Sequence, residues 1–266
     1  MGDDSLQGIA DLGLADGLRV HSHFGDGGEV LEQDDLLVVT CEHRFPVGLF
    51  NAAFPLVRGA NRARAERWLS AATAFFRQRQ RGFSIYCVEG LDNALLQRCM
   101  ELGFVDQRPS PAMVCRARVE EPLIPRLTMR MATTAQEIAD FVEVAAPVYA
   151  DTGLPRTITE RMFANHNRVL ASGIAVWIGY VEDAPVTACW VQCRHGVGGV
   201  YWVATLPYYR GRGYGAAITR RATNHAFELG ATAVTLQASV MGEPIYRAMG
   251  YQLISRYRWA FRSHVA

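Results

Sequence analysis

The chain has 266 residues, half of them hydrophobic and 20% charged, with a formal net charge of +1. That length suits one large domain or two of ordinary size, and the composition is that of a folded globular protein rather than a disordered one. The near-zero net charge gives no overall electrostatic case for a nucleic-acid partner. No stretch approaches the roughly 18 uninterrupted apolar residues of a membrane-spanning helix.

All 27 positively charged side chains are arginines, because the chain contains no lysine. Genome composition accounts for such a bias, but it has a consequence: the protein cannot acylate its own lysines. The six cysteines (Cys41, Cys87, Cys99, Cys115, Cys189 and Cys193) include no Cys-x-x-Cys pair and mostly sit in apolar runs. They read as small core residues in a reducing compartment. Alternating spacing on a strand suits a zinc site through Cys189, Cys193 and His195 poorly, so no metal is expected. The acidic start, Met1–Gly2–Asp3–Asp4, lacks a basic-then-apolar signal, and the expected location is the cytoplasm.

In chain order, residues 1–30 are rich in Gly and Asp and read as a short helix or two and a loose loop. Leu36–Thr40 and Gly48–Phe54 read as strands. Ala63–Gln80 is an amphipathic helix with Trp68, Leu69, Ala72 and Phe75–Phe76 on one face. Phe83–Val88 is a strand, Asn93–Leu102 a helix closed by Gly103, and Met113–Val119 another strand. The prolines of Glu120–Pro125 mark a linker. Strand Leu127–Met131 follows, then a helix from Thr134 to Tyr149 with Thr133 or Thr134 as N-cap, and a second from Thr157 to Leu170. Ala175–Val181, Pro185–Arg194 and Gly199–Leu206 are strands joined by short turns. Helix Gly213–Leu229 ends at Gly230, strand Ala233–Ala238 follows, helix Pro244–Met249 ends at Gly250, and a last strand covers Gln252–Phe261.

The ends of the two halves share one order of elements, with Gly103–Phe104 and Gly250–Tyr251 in the same place, 147 residues apart (250 − 103). This suggests a tandem repeat of an α/β unit, divided into residues 1–122 and 123–266.

The segment Arg210–Gly211–Arg212–Gly213–Tyr214–Gly215–Ala216 lies between a strand and a helix. Glycines let the backbone approach a ligand closely. The helix that follows offers unpaired N–H groups and a partial positive charge, which together cradle a phosphate or diphosphate. A lysine-free chain cannot supply Gly-x-x-x-x-Gly-Lys-Ser/Thr. Gly211, Gly213 and Ala216 do fit Gly-x-Gly-x-x-Ala, but the next strand ends Gln237–Ala238–Ser239 without the carboxylate that a dinucleotide ribose needs.

The loop instead resembles the signature of the GNAT superfamily (Gcn5-related N-acetyltransferases), Gln/Arg-x-x-Gly-x-Gly/Ala, with Arg210, Gly213 and Gly215 in its defined positions. The resemblance extends through most of residues 126–266. It implies the acyl-CoA N-acyltransferase fold, an α/β (α+β) arrangement with a mixed, mostly antiparallel central sheet flanked by helices, here as two GNAT-like halves. It also implies that Val203, Ala204 and Thr205 pair with pantetheine, that Gly211 to Ala216 hold the diphosphate beside Arg210, and that Ser239 stands where the family often has a cofactor-contacting asparagine. Tyr246, in Tyr246–Arg247–Ala248–Met249–Gly250–Tyr251, matches the tyrosine that protonates the departing thiolate. The family's strand glutamate falls on Gly199 and Val234, neither of which accepts a proton, so the general base stays open among a water relay, Asp151, Glu243 and His195.

The N-terminal half lacks the signature. Its corresponding region reads Arg62–Ala63–Arg64–Ala65–Glu66–Arg67, and Cys99 takes the place of Tyr246 (246 − 147). The expectation is an enzyme that moves an acetyl or short acyl group from acetyl-CoA to a primary amine of a small molecule or peptide, as a monomer or homodimer. A non-catalytic acyl-CoA sensor or scaffold is the alternative. Tyr149, Phe163, Trp177, Trp190 and Trp202 are candidates for lining an apolar amine pocket or packing in the core.

Overall fold

The computed structural model describes residues 5–41 and 49–263; Gly48, at the start of an expected strand, lies outside them. The first helix, α1 (Leu6–Ser22), is continuous over 17 residues where one or two short helices and a loop were expected. Its glycines blur the helical pattern because two of them serve packing. A Cβ at Gly13 would come within 2.1 Å of Thr235 Oγ1, and one at Gly17 within 2.1 Å of the Tyr201 hydroxyl.

Two strands follow, β1 (Glu29–Gln33) and β2 (Leu36–Thr40), joined at Asp34–Asp35 with φ of +52° and +61°. Two positive φ values in a two-residue loop are the geometry of a type I′ hairpin. The chain continues through β3 (Ala52–Pro55), α2 (Arg62–Gln78), β4 (Phe83–Val88), α3 (Asn93–Glu101), β5 (Val105–Asp106) and β6 (Ser110–Cys115). The sequence places β6 at Met113–Val119. It begins and ends earlier because Arg116 to Arg118 are exposed and leave the ladder.

After an irregular stretch over the expected linker come β7 (Thr128–Met131) and α4 (Ala135–Ala150). Thr134 caps α4 in a reciprocal capping box with Glu137. The helix expected over Thr157–Leu170 is two, α5 (Arg156–Met162) and α6 (His166–Ala171). Phe163 turns inward onto Phe141 at 4.9 Å, and the Asn165 side chain accepts Arg168 N–H to start α6 afresh. Then follow β8 (Ala175–Val181), β9 (Ala184–Arg194), β10 (Val197–Thr205), α7 (Tyr214–Glu228), β11 (Ala233–Gln237), α8 (Glu243–Ala248) and β12 (Gln252–Arg262).

The chain divides into two compact units and passes between them within α1, β6 and β12. The larger unit comprises the described part of Met1–Gly17 with Met113–Leu253. Its strands β7, β8, β9 and β10 form an antiparallel meander, and β11 pairs with β10 in parallel. The turns at Glu182–Asp183 and His195–Gly196 again carry paired positive φ values. On one face α7 buries Ile218, Ala222 and Ala226 against Val191, Val200, Val234 and Leu236.

The smaller unit comprises Leu18–Ala112 and the described part of Ile254–Ala266. Here β1, β2 and β3 are antiparallel, β4 joins β3 in parallel after α2, and β12 pairs with β4 and β5. Trp68, Leu69, Phe76, Leu95 and Cys99 of α2 and α3 pack with Ile85 and Cys87 of β4.

Both units are thus mixed α/β, with a strand, a crossover helix, a parallel strand and a short helix in the same order. One sequence correspondence needs correction. Residues 62–67 begin α2 rather than precede it, because the N-cap is Asn61. Anchored on the N-caps of α2 and α7, Asn61 and Gly213, the stretch matching 210–215 is Arg58–Gly59–Ala60–Asn61–Arg62–Ala63 (213 − 61 = 210 − 58). It does contain a glycine, Gly59, at φ +70°.

Candidate functional site

The site begins with two parallel strands that part. Although β10 runs to Thr205 and β11 to Gln237, they pair only at Val197–Gly199 against Ala233–Thr235. A bulge redirects β10: Tyr201 pairs with Trp190 and Ala204 with Ala188, leaving one extra residue on β10 between them. Trp202 within it sits at φ +55°, a left-handed conformation that costs a bulky side chain roughly 1–3 kcal/mol. Its ring packs on Tyr149 at 4.3 Å and on Phe163 at 5.2 Å, which holds the distortion in place.

Beyond the bulge, Leu206 N–H donates to Val186 on β9 at 3.0 Å. In an antiparallel ladder the peptide groups alternate, so those of Thr205 and Val203 point away from β9, toward the gap beside β11. Arg210 Nε meets the Thr205 carbonyl there at 3.1 Å. Ala204 faces the other way, and its carbonyl accepts the Thr187 hydroxyl at 2.8 Å. The Thr187 hydroxyl also lies 2.8 Å from that of Thr205.

At the mouth of the gap stands the glycine-rich loop. Gly211 and Gly213 adopt φ of +76° and +81°, and Gly213 is the N-cap of α7 without a side chain to offer it. The first-turn N–H groups of Tyr214, Gly215 and Ala216 therefore point out of the helix end, where the macrodipole is positive. Gly215 closes the loop onto the strand, since a Cβ there would lie 3.0 Å from Thr205 Oγ1. Tyr214 is buried beneath, its ring 6.4 Å from Tyr209. Arg212 stacks over Tyr208 and Tyr209, 5.4 Å from each ring. Arg210 is paired at 3.6 Å with Asp151, an exposed contact that is readily exchanged for another anion.

Tyr246 lies on α8, partly buried against the larger unit's core. Burial pushes its phenol above the ordinary range; the Cys189 thiol adds to this and a hydrogen bond with Thr219 offsets part. Thr219 itself donates to the Gly215 carbonyl at 2.8 Å, linking the phenol to the glycine loop. Tyr149 is also pushed up, by burial first and then by Tyr246 and Cys189. The Tyr149 and Tyr246 phenols and the buried Cys189 thiol thus lie within electrostatic reach of one another.

Other expected residues stand apart. Ser239 is exposed, and its hydroxyl accepts Gly242 N–H at 3.1 Å within its own turn. Gly199 is buried, with the Tyr201 ring 2.6 Å from where its Cβ would be, and Val234 is core. His195 bonds Asp16 at 2.8 Å at the opposite end of β10, roughly 30 Å from Thr205 at about 3.3 Å per residue. That removes it as a base. Glu243 is paired with Arg247 at 2.8 Å. Of the five aromatic candidates, Tyr149, Phe163 and Trp202 come together. Trp177 instead donates to His225 Nδ1 at 2.9 Å, and Trp190 stacks on Tyr201 at 4.5 Å. Among the described residues no three His, Cys, Asp or Glu side chains converge as a metal would need, and no helix is long and apolar enough to cross a membrane.

Three residues went unnoticed in the sequence. Thr219 lies one helical turn after Gly215 and Thr187 lies on a neighbouring strand, so only the folded chain brings them to the loop. Gln237, at the end of β11, has a buried side-chain amide nitrogen without a hydrogen-bond partner.

A family model described as acetyltransferase (GNAT) domain matches residues 172–253. No curated protein sequence matches the chain. Among solved structures, a GCN5-related N-acetyltransferase from Kribbella flavida is similar at a TM-score of 0.69 and 20% identity, over 92% of this chain and 95% of that one. One from Sphaerobacter thermophilus is similar at 0.64 and 12%, over 100% and 95%. A tandem GNAT protein from the clavulanic acid biosynthesis pathway is similar at 0.60 and 11%, over 87% and 78%. The overlaps take in nearly the whole chain, so the likeness of fold covers both units.

Proposed function

We propose, on the premise that residues 172–253 form a GNAT domain, that the protein transfers an acetyl or short acyl group from coenzyme A to a primary amine of a small molecule or peptide. The observation that carries this reading is the parting of β10 and β11 beyond Gly199, with a glycine loop at its mouth. A flat, fully paired sheet would leave no backbone groups to meet a ligand there; a bulged strand turns the peptide groups of Val203 and Thr205 away from β9, with, among the described residues, only the Thr205 carbonyl meeting a side chain, Arg210.

The cosubstrate supplies an acyl group activated as a thioester. Amides from Gly211 to Ala216, with Arg210 and Arg212, hold its diphosphate at the positive end of α7. The backbone of Val203 and Thr205 pairs with the pantetheine amides, Ala204 spaces them, and Ser239 lies at the rim. As an amine attacks, an outward N–H of β10 stabilises the charge growing on the carbonyl oxygen. The Tyr246 phenol donates its proton to the departing sulfur. A phenol is protonated at neutral pH in any setting, and burial raises this one further, so the acid is in its working form. No carboxylate stands at Gly199 or Val234 to take a proton, so the amine reaches the site neutral, and the proton it sheds as the amide forms returns through water to the Tyr246 phenolate. That absence favours one alternative, an acyl-CoA sensor that binds without turnover.

The deciding measurement is thiol release, with acetyl-CoA and longer acyl-CoAs, across a panel of amines and peptides. Acyl-dependent release with at least one amine is expected; binding with no release anywhere would establish the sensor. Gly213→Glu puts a carboxylate beside the diphosphate and a side chain on a left-handed residue. Acetyl-CoA affinity should fall more than 100-fold by calorimetry, and unchanged affinity would remove the basis of the reading.

A further inference from the structure

The smaller unit repeats the plan of the site down to single hydrogen bonds. After α8, Tyr251 N–H closes on the Tyr246 carbonyl at 3.0 Å with Gly250 at φ +101°; after α3, Phe104 N–H closes on the Cys99 carbonyl at 3.0 Å with Gly103 at φ +77°. Cys99 thus holds the place of Tyr246. By the same interval Asp92 holds the place of Ser239 (239 − 92 = 250 − 103). The parallel strands β3 and β4 also part early, pairing only at Ala52 and Ala53. At the mouth of that gap Arg58 and Gly59 stand where Arg210 and Gly211 stand in the larger unit, and Gly59 shares the left-handed φ, +70° against +76°.

The two gaps differ in what their loops hold. Asp92 is the N-cap residue of α3, yet its side chain caps nothing in that helix. Its buried carboxylate instead accepts Gly59 N–H at 3.0 Å, Val88 N–H at 2.8 Å and Arg58 Nη1 at 3.0 Å. The N-terminus of α2 is filled as well, by the Asn61 side chain on Arg64 N–H at 3.0 Å. Ser239 is neutral and shorter, and it spends its hydroxyl on Gly242, leaving the loop from Gly211 to Ala216 to an outside anion.

We propose that Asp92 is a built-in anion that fills the diphosphate seat of the smaller unit, so that each chain binds one thioester carrier rather than two. The inference rests on reading residues 211–216 as the diphosphate seat of the larger unit. Taking the carboxylate away removes the one acceptor shared by the Arg58 guanidinium, the buried Val88 N–H and the exposed Gly59 N–H, and donors grouped beside a cation draw in another anion. Asp92→Ser therefore converts a closed seat into an open one.

The test uses the full chain and two probes. Calorimetry with acetyl-CoA is expected to give one equivalent per chain, and none in Gly213→Glu. Two equivalents, or one surviving in Gly213→Glu, would overturn the proposal. Inorganic pyrophosphate isolates the second seat. In the Gly213→Glu background it should leave the melting temperature unchanged, and with Asp92→Ser added it should raise it by several degrees. A response in both proteins, or in neither, counts against Asp92 as the occupant. Asp92→Asn keeps the side-chain shape without its charge; it serves should the serine variant not fold, with the same direction expected. A wild-type chain that binds no acetyl-CoA would sink the proposed function and with it the count of one carrier per chain, while the pyrophosphate comparison would still decide whether Asp92 fills the second seat.

Discussion

The Tyr246 phenol packs on the larger unit's core beside Thr219, whose own hydroxyl donates to the Gly215 carbonyl. Tyr246→Phe keeps the ring and removes only the proton donor. Its kcat should fall at least 100-fold, within the usual worth of a positioned acid, while the KM for acetyl-CoA moves less than threefold. Steady-state kinetics with the best amine checks this, and an unchanged kcat would assign the proton to another group. Tyr149 touches the same region differently, through the ring that holds Trp202 in its left-handed bulge. Tyr149→Phe should keep most activity and Tyr149→Ala should lose it, because the bulge aims the Val203 and Thr205 peptide groups. Equal losses in the two variants would mean that the hydroxyl, not the ring, matters. In the sequence, Tyr246 and the glycine loop were legible because short-range spacing fixes them. Tyr149 was legible only as one of five aromatics for an apolar pocket or the core, and Thr219 not at all, because their approach depends on where α4 and α7 lie on the sheet.

Elements with strong periodicity or clear punctuation were legible to within a few residues: β2, β4 and β8 match their expected bounds, and α2, α4 and α7 shift at their ends only. The failures have two causes, a missing pattern in β1 and a local pattern overridden by packing in α1. β1 is exposed at every residue, so nothing alternates, and its turn is Asp34–Asp35 rather than a glycine pair. α1 carries Gly13 and Gly17, which weaken a helix by propensity and are kept because the helix lies close on Tyr201 and Thr235. The Tyr201 hydroxyl also donates to the Gly13 carbonyl at 2.5 Å. Gly17→Ala would gain helix propensity by about 1 kcal/mol, yet its methyl would fall 2.1 Å from the Tyr201 hydroxyl. Overpacking of that kind costs about 1–3 kcal/mol. A net loss of stability in urea is expected, because the ring carbons Cζ and Cε1 of Tyr201 would also lie 2.3 and 2.8 Å from that methyl. A stabilised single variant would show that α1 does not press on the sheet.

At the scale of the whole molecule, the lack of lysine makes one region of pH unusually readable. Most proteins titrate lysines between pH 9.5 and 11, at about 10.4; here that range belongs to thiols and phenols alone. The Tyr86, Tyr149, Tyr246 and Tyr251 phenols are all raised, with burial the first cause in each. The Cys189 and Cys115 thiols are raised by burial as well. Each such group holds its proton in the folded chain and gives it up in the unfolded one, at about 8.5 for a thiol and about 10 for a phenol. Above those values the unfolded state binds fewer protons than the folded one, so unfolding becomes easier as pH rises. Stability should therefore hold up to pH 8, begin to fall as the thiols titrate, and fall more steeply past pH 10. Each fully buried group adds a slope of about 1.4 kcal/mol per pH unit. Tyr149, Tyr246 and Tyr251 lie in the larger unit and Tyr86 in the smaller, so a chain that melts in two steps should lose the larger unit first in alkali. Urea unfolding at pH 8, 9, 10 and 11 would show it. A midpoint that stays level or climbs across that series would mean that these phenols and thiols ionise as readily folded as unfolded, and that burial does not hold their protons.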